Sequence, residues 1–367
     1  MIILDKPYVS DFLIETIKKN GFSVLDNDIS RKYFEADKLS KSVNINEPFY
    51  SNSENSIDWI NKNIPQSKLN EYIKISKDKV LFRKKISSVY PDYNFFEVKY
   101  DELKNLKNLK FPFVLKPSIG FLSFGVYTVE SDVDWQNVLS KIDEDITKLR
   151  DVFPKNVVDM TNFIIEDYIK GDEYALDAYF DENSKAVILN IFSHPFKDGK
   201  DVSDRLYFTS KKIIQKNLNK FEDALNKIGA ALNFKNFPFH LELRVQDNKI
   251  IPIEINPLRF CGWCITDIAY YAWKINVYEY YFKKLKPDWN KILDNSDDDY
   301  FYFAIGEMPN KSAHPDYEKF KKEFSNPLVL RKIDYKVNPI FAIVFAKTAS
   351  YDEIDKILKL DMNDFVK

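Results

Sequence analysis

The sequence predicts a mixed fold, a small α/β unit followed by α+β units, and three observations carry that expectation. Residues 1–74 run strand, helix, strand. Between 111 and 181, two apolar strand pairs flank a helix. At Phe239–Phe260, FHLELRVQDNKIIPIEINPLRF alternates apolar and polar residues on both arms of a hairpin. Alternation with period two marks a strand with one buried face, whereas a period near 3.6 marks a helix.

A chain of 367 residues exceeds the usual single-domain size, so several packed units are expected, at 1–74, 75–294 and 295–367. With 54 basic and 56 acidic residues the net charge is -2, which recommends neither nucleic acid nor an anionic membrane as partner. The start, MIILDKPYVSDF, lacks a signal-peptide pattern, and apolar runs such as IFAIVFA are too short to span a bilayer, so a soluble cytoplasmic protein is expected. Cys261 and Cys264, in CGWC, have no second pair to complete a zinc site and read as reduced loop or core residues rather than a redox pair. Glycine is scarce, 8 residues where average usage gives about 26. Gly120, Gly125, Gly171 and Gly262 all fall in or beside the segments that carry chemistry below.

In order, MIIL reads as a strand, SDFLIETIKKNG as a helix from Ser10 to Gly21, and FSVL as a second strand. SKDKVLFRKKISSVY is helical, and YNFFEVKY follows the break at Pro91. FPFVLKPSIGFLSFGVYTVE is strand, loop, strand, and DVDWQNVLSKIDEDITKLRDVF a helix. NFIIEDYI and EYALDAYFD are strands about a turn at 170–172, and a long helix from Ser210 to Leu232 leads into the hairpin. DIAYYAWKINVYEYYFKKL is helical, NKILDNSDDDY a polar boundary, and the tail strand, helix, strand and final helix.

The hairpin poses a chemical question. Across an odd-numbered loop centred near Asn248, Glu242 falls opposite Glu254 and His240 opposite Asn256, with the apolar side chains on the other face. Facing carboxylates repel unless something neutralises them. For two carboxylates and an amide oxygen, without thiolates or paired imidazoles, the fitting ion is Mg²⁺ or Mn²⁺. The plainer reading of the same residues is a solvent-facing hairpin softened by Arg244. KPSIGFLSFG likewise has the parts of a phosphate-binding loop, with Lys116 as point charge, but it is neither a Walker loop nor a dinucleotide fingerprint. Taken singly, Lys116 reads equally well as a solvated strand end, and Lys79 as a solvated helix charge.

Their order is more informative. DK at 78–79, FPFVLKPSIGFLSFGVYTV, FIIEDYIKGDEYALDAYF, and FHLELRV with IPIEINPLR together resemble the ATP-grasp superfamily, carboxylate-amine ligase type, over about residues 75–290. The resemblance implies the ATP-grasp fold, two α+β subdomains gripping ATP, preceded by the small α/β domain and followed by a small α+β extension. It implies that Lys79 and Lys116 contact phosphates and that the loop with Ser123 and Gly125 covers them as a lid. Glu166 and Ile169 would meet adenine, Glu173 the ribose, and Glu242, Glu254 and Asn256 would hold Mg²⁺ or Mn²⁺ against the ATP phosphates. Arg259 would stabilise the transferring phosphoryl group or the substrate carboxylate. The family sets this arginine at N-x-R or N-P-R; NPLR sets it one residue late, with Arg244 in reserve.

The implied activity is ADP-forming ligation of a carboxylate to an amine through an acyl phosphate, with small molecules, amino acids among them, as partners. An oligomer is compatible with this reading. His240 either assists proton removal from the amine or holds structure. The alternatives are a carboxylase, a ligase with a non-amine nucleophile, or a nucleotide-binding homologue without turnover.

Overall fold

A computed structural model describes residues 1–120, 125–150, 159–197, 203–310 and 312–367. The N-terminal unit begins with β1 (Ile2–Ile3), followed by the helix Asp11–Asn20. Ser10 caps that helix by accepting from the Leu13 amide, and Gly21 closes it at φ 64°. The parallel partner of β1 is β2 (Tyr50–Ser51). The strand expected at FSVL is reduced to single bridges, Val24 to Ile2 and Leu25 to Ser40. Only Val24 and Leu25 of that segment are buried, so the ladder has no apolar face to extend it.

The helix expected across 76–90 is narrower, Lys79–Ile86, and a separate helix, Lys68–Lys77, precedes it. Asp78 divides them because its carboxylate accepts from the Val80 and Leu81 amides, the geometry of an N-cap. Lys79 therefore stands at the first position of a helix.

Four antiparallel strands form the smaller sheet: β3 (Phe95–Lys99), β4 (Phe113–Ile119), β5 (Tyr127–Val129) and β6 (Asp159–Asp167), in the order β3-β6-β4-β5. The helix Asp132–Arg150 covers it, and Trp135, Leu139 and Ile142 pack on Phe113, Leu115 and Phe163.

The larger sheet has eight strands. Five come before residue 260: β7 (Asp172–Phe180), β8 (Ala186–His194), β9 (Leu206–Ser210), β10 (Phe237–Gln246) and β11 (Lys249–Pro257). The tail adds β12 (Tyr300–Glu307), β13 (Pro327–Lys332) and β14 (Ile340–Thr348), and the order is β11-β10-β7-β8-β9-β12-β14-β13. The sequence reading passed over β8 and β9, since AVILNIF and LYFTS are buried on both faces and show no alternation. It also passed over β13. Ser210 caps the helix Lys211–Leu232, whose apolar face shares one core with Leu176, Leu241 and, from the N-terminal unit, Ile2 and Leu13. The helix expected after the hairpin is two short ones, Ile268–Trp273 and Val277–Phe282. The chain turns left-handed at Lys274 between them, and Asn276 caps the second. The supposed polar boundary contains the helix Trp289–Asp294.

Candidate active site

The hairpin β10–β11 has the expected pairs, Glu242 opposite Glu254 and His240 opposite Asn256, but reaches them differently. Its turn has two residues, Asp247 and Asn248, both left-handed at φ 49° and 64°, and it pairs Gln246 with Lys249. Two consecutive positive φ angles are what a tight hairpin turn demands, and Asp and Asn tolerate them. That frame alone would set Glu242 opposite Ile253. A bulge leaves Ile253 unpaired and moves Glu254 into register. The odd-numbered loop is thus replaced by an even turn plus one extra residue. As a consequence Ile251 lies opposite Arg244, so the clean sorting of apolar and polar faces fails beyond the bulge.

On its other side β10 pairs with β7, which sets Asp177 opposite His240 and Glu173 opposite Arg244. Glu173, Asp177, His240, Glu242, Arg244, Glu254 and Asn256 therefore share one face of the larger sheet. Burial, then the charges of Glu254, Asp204 and Glu173, push the Glu242 carboxyl well above its ordinary range. Burial acts in the same direction on Glu254, but Lys79, Lys77 and Lys116 overcome it and hold that carboxyl down at about 2. Lys79 Nζ lies 3.1 Å from Glu254 Oε2, and Asn256 Nδ2 donates to Glu254 Oε1 at 3.3 Å.

The smaller sheet contributes Lys116 from β4 and Glu166 from β6, both buried and ion-paired to each other. Arg83 joins them: Nε donates to Glu166 Oε2 at 2.8 Å, and Nη1 donates to the Pro252 carbonyl at 2.6 Å, beside the bulge of the larger sheet. One guanidinium thus ties the two sheets together at the site. Against the cost of burial, Arg83 and Lys116 hold the Glu166 carboxyl down at about 2. Burial lowers the Lys116 pKa, with Glu166 opposing and the nearby Arg83 and Lys79 charges adding to the effect.

At one end of this face, Glu173 accepts from Arg244 Nε at 2.8 Å and meets His194 Nδ1 at 2.8 Å, while Arg244 Nη1 donates to the Ile169 carbonyl at 2.9 Å. At the other end, Arg259 Nε donates to Glu54 Oε1 at 2.9 Å, and Lys77 holds Glu54 Oε2. Leu258 supplies the extra residue of NPLR in a left-handed turn, φ 64°, just before Arg259. His240 Nδ1 lies 2.8 Å from Asp177 Oδ1, which also accepts from the Cys261 amide. Both cysteines are buried and free, and burial raises both thiols, Cys264 to about 11. Gly125 is left-handed at φ 71°, and Ser123 lies outside the described residues.

The fold therefore gathers Lys79, Lys116, Glu166, Glu242, Glu254 and Asn256 where the two sheets meet, with Ile169, Glu173 and Arg244 to one side and Arg259 to the other. Sequence reasoning missed Arg83, Glu54, Lys77, His194 and Asp204. Only Lys77 had a local signal, its place two residues before Lys79. Among the described residues no three His, Cys, Asp or Glu side chains form a metal cage. The donor set is two carboxylates and an amide oxygen, and it suits a hard divalent cation because Glu242 bears a carboxylate repulsion that such an ion would relieve.

Two antiparallel sheets, one of eight strands and one of four, meet over this cluster of charged side chains. Residues 109–267 match the family described as the ATP-grasp domain, so the chain has the ATP-grasp fold and carries an ATP-grasp domain. Solved structures agree over nearly its whole length. An L-amino acid ligase from Bacillus licheniformis is 15% identical with TM-score 0.67, covering 100% of this chain and 97% of that one. N5-carboxyaminoimidazole synthase from Aspergillus clavatus is 14% identical with TM-score 0.64, covering 99% and 97%. Biotin carboxylase from Campylobacter jejuni is 14% identical with TM-score 0.63, covering 97% and 89%. No curated protein matches the chain in sequence. No described helix is long and apolar enough to cross a membrane.

Proposed function

We propose that the chain is an ADP-forming ligase that activates a small carboxylate as an acyl phosphate and joins it to an amine. The observation that carries this reading is the cross-strand pair Glu242 and Glu254, with Asn256 beside it, facing Lys79 and Lys116 where the two sheets meet. Mg²⁺ or Mn²⁺ held by Glu242, Glu254 and Asn256 would supply charge neutralisation at the phosphate oxygens of ATP. Lys116 and Lys79 leave their carboxylate partners to bind phosphate, a transfer that conserves a charge-assisted contact for each lysine. Ile169, Glu166 and Glu173 serve the nucleoside. Arg259 balances charge on the transferring group or orients the substrate carboxylate.

In the reaction a carboxylate oxygen attacks the γ-phosphorus, and the bond to the β–γ bridging oxygen breaks to release ADP. The amine nitrogen then attacks the acyl carbon, loses a proton, and phosphate departs. Alignment and preorganised charge carry such chemistry, and no side-chain nucleophile is required. The similarity to an L-amino acid ligase supports an amine as acceptor and amino acids as first substrates to try. The similarity to biotin carboxylase supports the second reading, carboxylation or another non-amine acceptor. Paired amino acids and small carboxylates, screened with Mg²⁺ and ATP for ADP release and condensation products by mass spectrometry, test the proposal. Nucleotide turnover that appears only with bicarbonate would select the second reading.

A further inference from the structure

The loop Leu258–Cys264 follows the hairpin and carries Arg259. Its backbone is left-handed at Leu258, Trp263 and Cys264, with φ 64°, 55° and 53°. Non-glycine residues persist in that region only where surrounding contacts over-determine them. Glu54 takes the Arg259 side chain and Asp177 takes the Cys261 amide. The far end of the loop is held by Arg331, from strand β13 in the C-terminal segment. Arg331 Nη1 donates to the Cys264 carbonyl at 2.8 Å and the Trp263 carbonyl at 3.4 Å, and Nη2 donates to Asp267 Oδ2 at 2.6 Å. Tyr278 fixes the other oxygen of Asp267 at 2.5 Å. The guanidinium is buried, with its carbon 4.3 Å from the centre of the Phe345 ring and 5.4 Å from that of Tyr8.

The connection back to the site runs through Phe260. Arg259 Nη1 donates to the Phe260 carbonyl at 3.0 Å, so the guanidinium of Arg259 rests on the backbone of the loop that Arg331 clamps. We propose that Arg331 is a positioning residue: by fixing the carbonyls of Trp263 and Cys264, the C-terminal segment sets the loop on which Arg259 rests. The planar fork reaches two carbonyls from one nitrogen and a carboxylate from another in a fixed geometry, whereas an ammonium would have to draw all three acceptors to a single nitrogen. The consequence for turnover rests on the ligase reading, whereas the consequence for the loop does not.

The loop contains its own probe, since Cys261 and Cys264 are the only cysteines in the chain and both are buried. In the full chain, Arg331→Met is expected to speed native-state thiol labelling by dithionitrobenzoate about tenfold or more, as loss of a charged group's hydrogen bonds releases the loop. Arg331→Lys keeps a charge beside Asp267 and serves if the methionine variant does not fold; it too is expected to label faster than wild type. The control is Ile354→Ala, a buried truncation in the same C-terminal segment but in a separate core cluster. It should lower the melting temperature without exposing the thiols. Unchanged labelling in the folded Arg331 variants, or equal labelling in Ile354→Ala at matched melting temperature, overturns the proposal. Once a substrate pair is found, Arg331→Met is also expected to cut ADP formation, and to add nothing on top of Arg259→Met; additive losses contradict positioning through Arg259. Failure to find any substrate pair defeats the ligase reading and leaves the labelling result to decide this one.

Discussion

Glu242 and Glu254 stand opposite each other on one half-buried face yet differ in proton affinity, because Lys79 lies beside Glu254 whereas desolvation and then three carboxylates raise Glu242. A variant Glu254→Gln is expected to keep its fold while losing Mn²⁺ affinity, by about ten- to a hundredfold for a charged contact; Mn²⁺ titration followed by electron paramagnetic resonance checks this. The same carboxylates set the response to acid. Glu166 and Glu254 fall from an ordinary 4.5 to about 2, so the stability they contribute is full above 4.5 and lost as pH falls toward 2. Glu242 has the opposite sign: its raised pKa costs stability while it is charged, and the cost starts to fall as pH drops below that value and is gone below 4.5. In urea melts without divalent cations, Glu242→Gln should therefore be more stable than wild type at high pH, and the difference should vanish toward 4.5. A variant less stable than wild type throughout would contradict the repulsion. The pair was legible in the sequence because strand alternation is local. Arg83 and Glu54 were not, since their partners lie 83 and 205 residues away and no periodicity marks them.

Among the elements, the chain connection from the smaller sheet to the larger passes through one sterically tight residue. Gly171 joins β6 to β7 at φ 114°, and a Cβ there would stand 2.0 Å from the Val245 carbonyl oxygen in β10. Backbone on both sides cannot yield as a flexible side chain would. Gly171→Ala is expected to destabilise the protein by about 3 kcal/mol or more, from overpacking combined with an unfavourable φ, read as a lower midpoint in urea with an unchanged slope. Midpoints within error of each other would show that the link can move. The glycine's importance was visible in its scarcity, and the strands about it in their alternation. The bulge at Ile253 was not visible, because an even turn plus one extra residue and an odd loop yield the same pairing at Glu242. Strands β8 and β9 escaped for a different reason: burial on both faces erases the period on which a strand is recognised.

At the scale of the molecule, the tail is built into the larger sheet. β12 pairs along β9 from Tyr300–Ser210 to Ala304–Leu206, and β14 and β13 continue from it, so the sheet crosses the boundary expected near residue 295. A chain ending at Asp298 would leave β9 an open edge and uncover Leu206, Phe208 and Tyr207. It is expected to be insoluble or to lack a cooperative thermal transition, whereas a soluble fragment with a sharp transition would mark the tail as independent. The order of the motifs in the sequence made the ATP-grasp fold legible. The joining of tail and centre was hidden, since strand partners distant in sequence leave no local trace. The central claim, carboxylate activation at the γ-phosphorus, is tested most directly by isotope transfer. With a substrate pair found by the screen and the carboxylate labelled with oxygen-18, one labelled oxygen should pass into the inorganic phosphate as ADP forms, because the acyl phosphate keeps the attacking oxygen on phosphorus when the amine displaces it. Unlabelled phosphate, or AMP in place of ADP, would contradict the account.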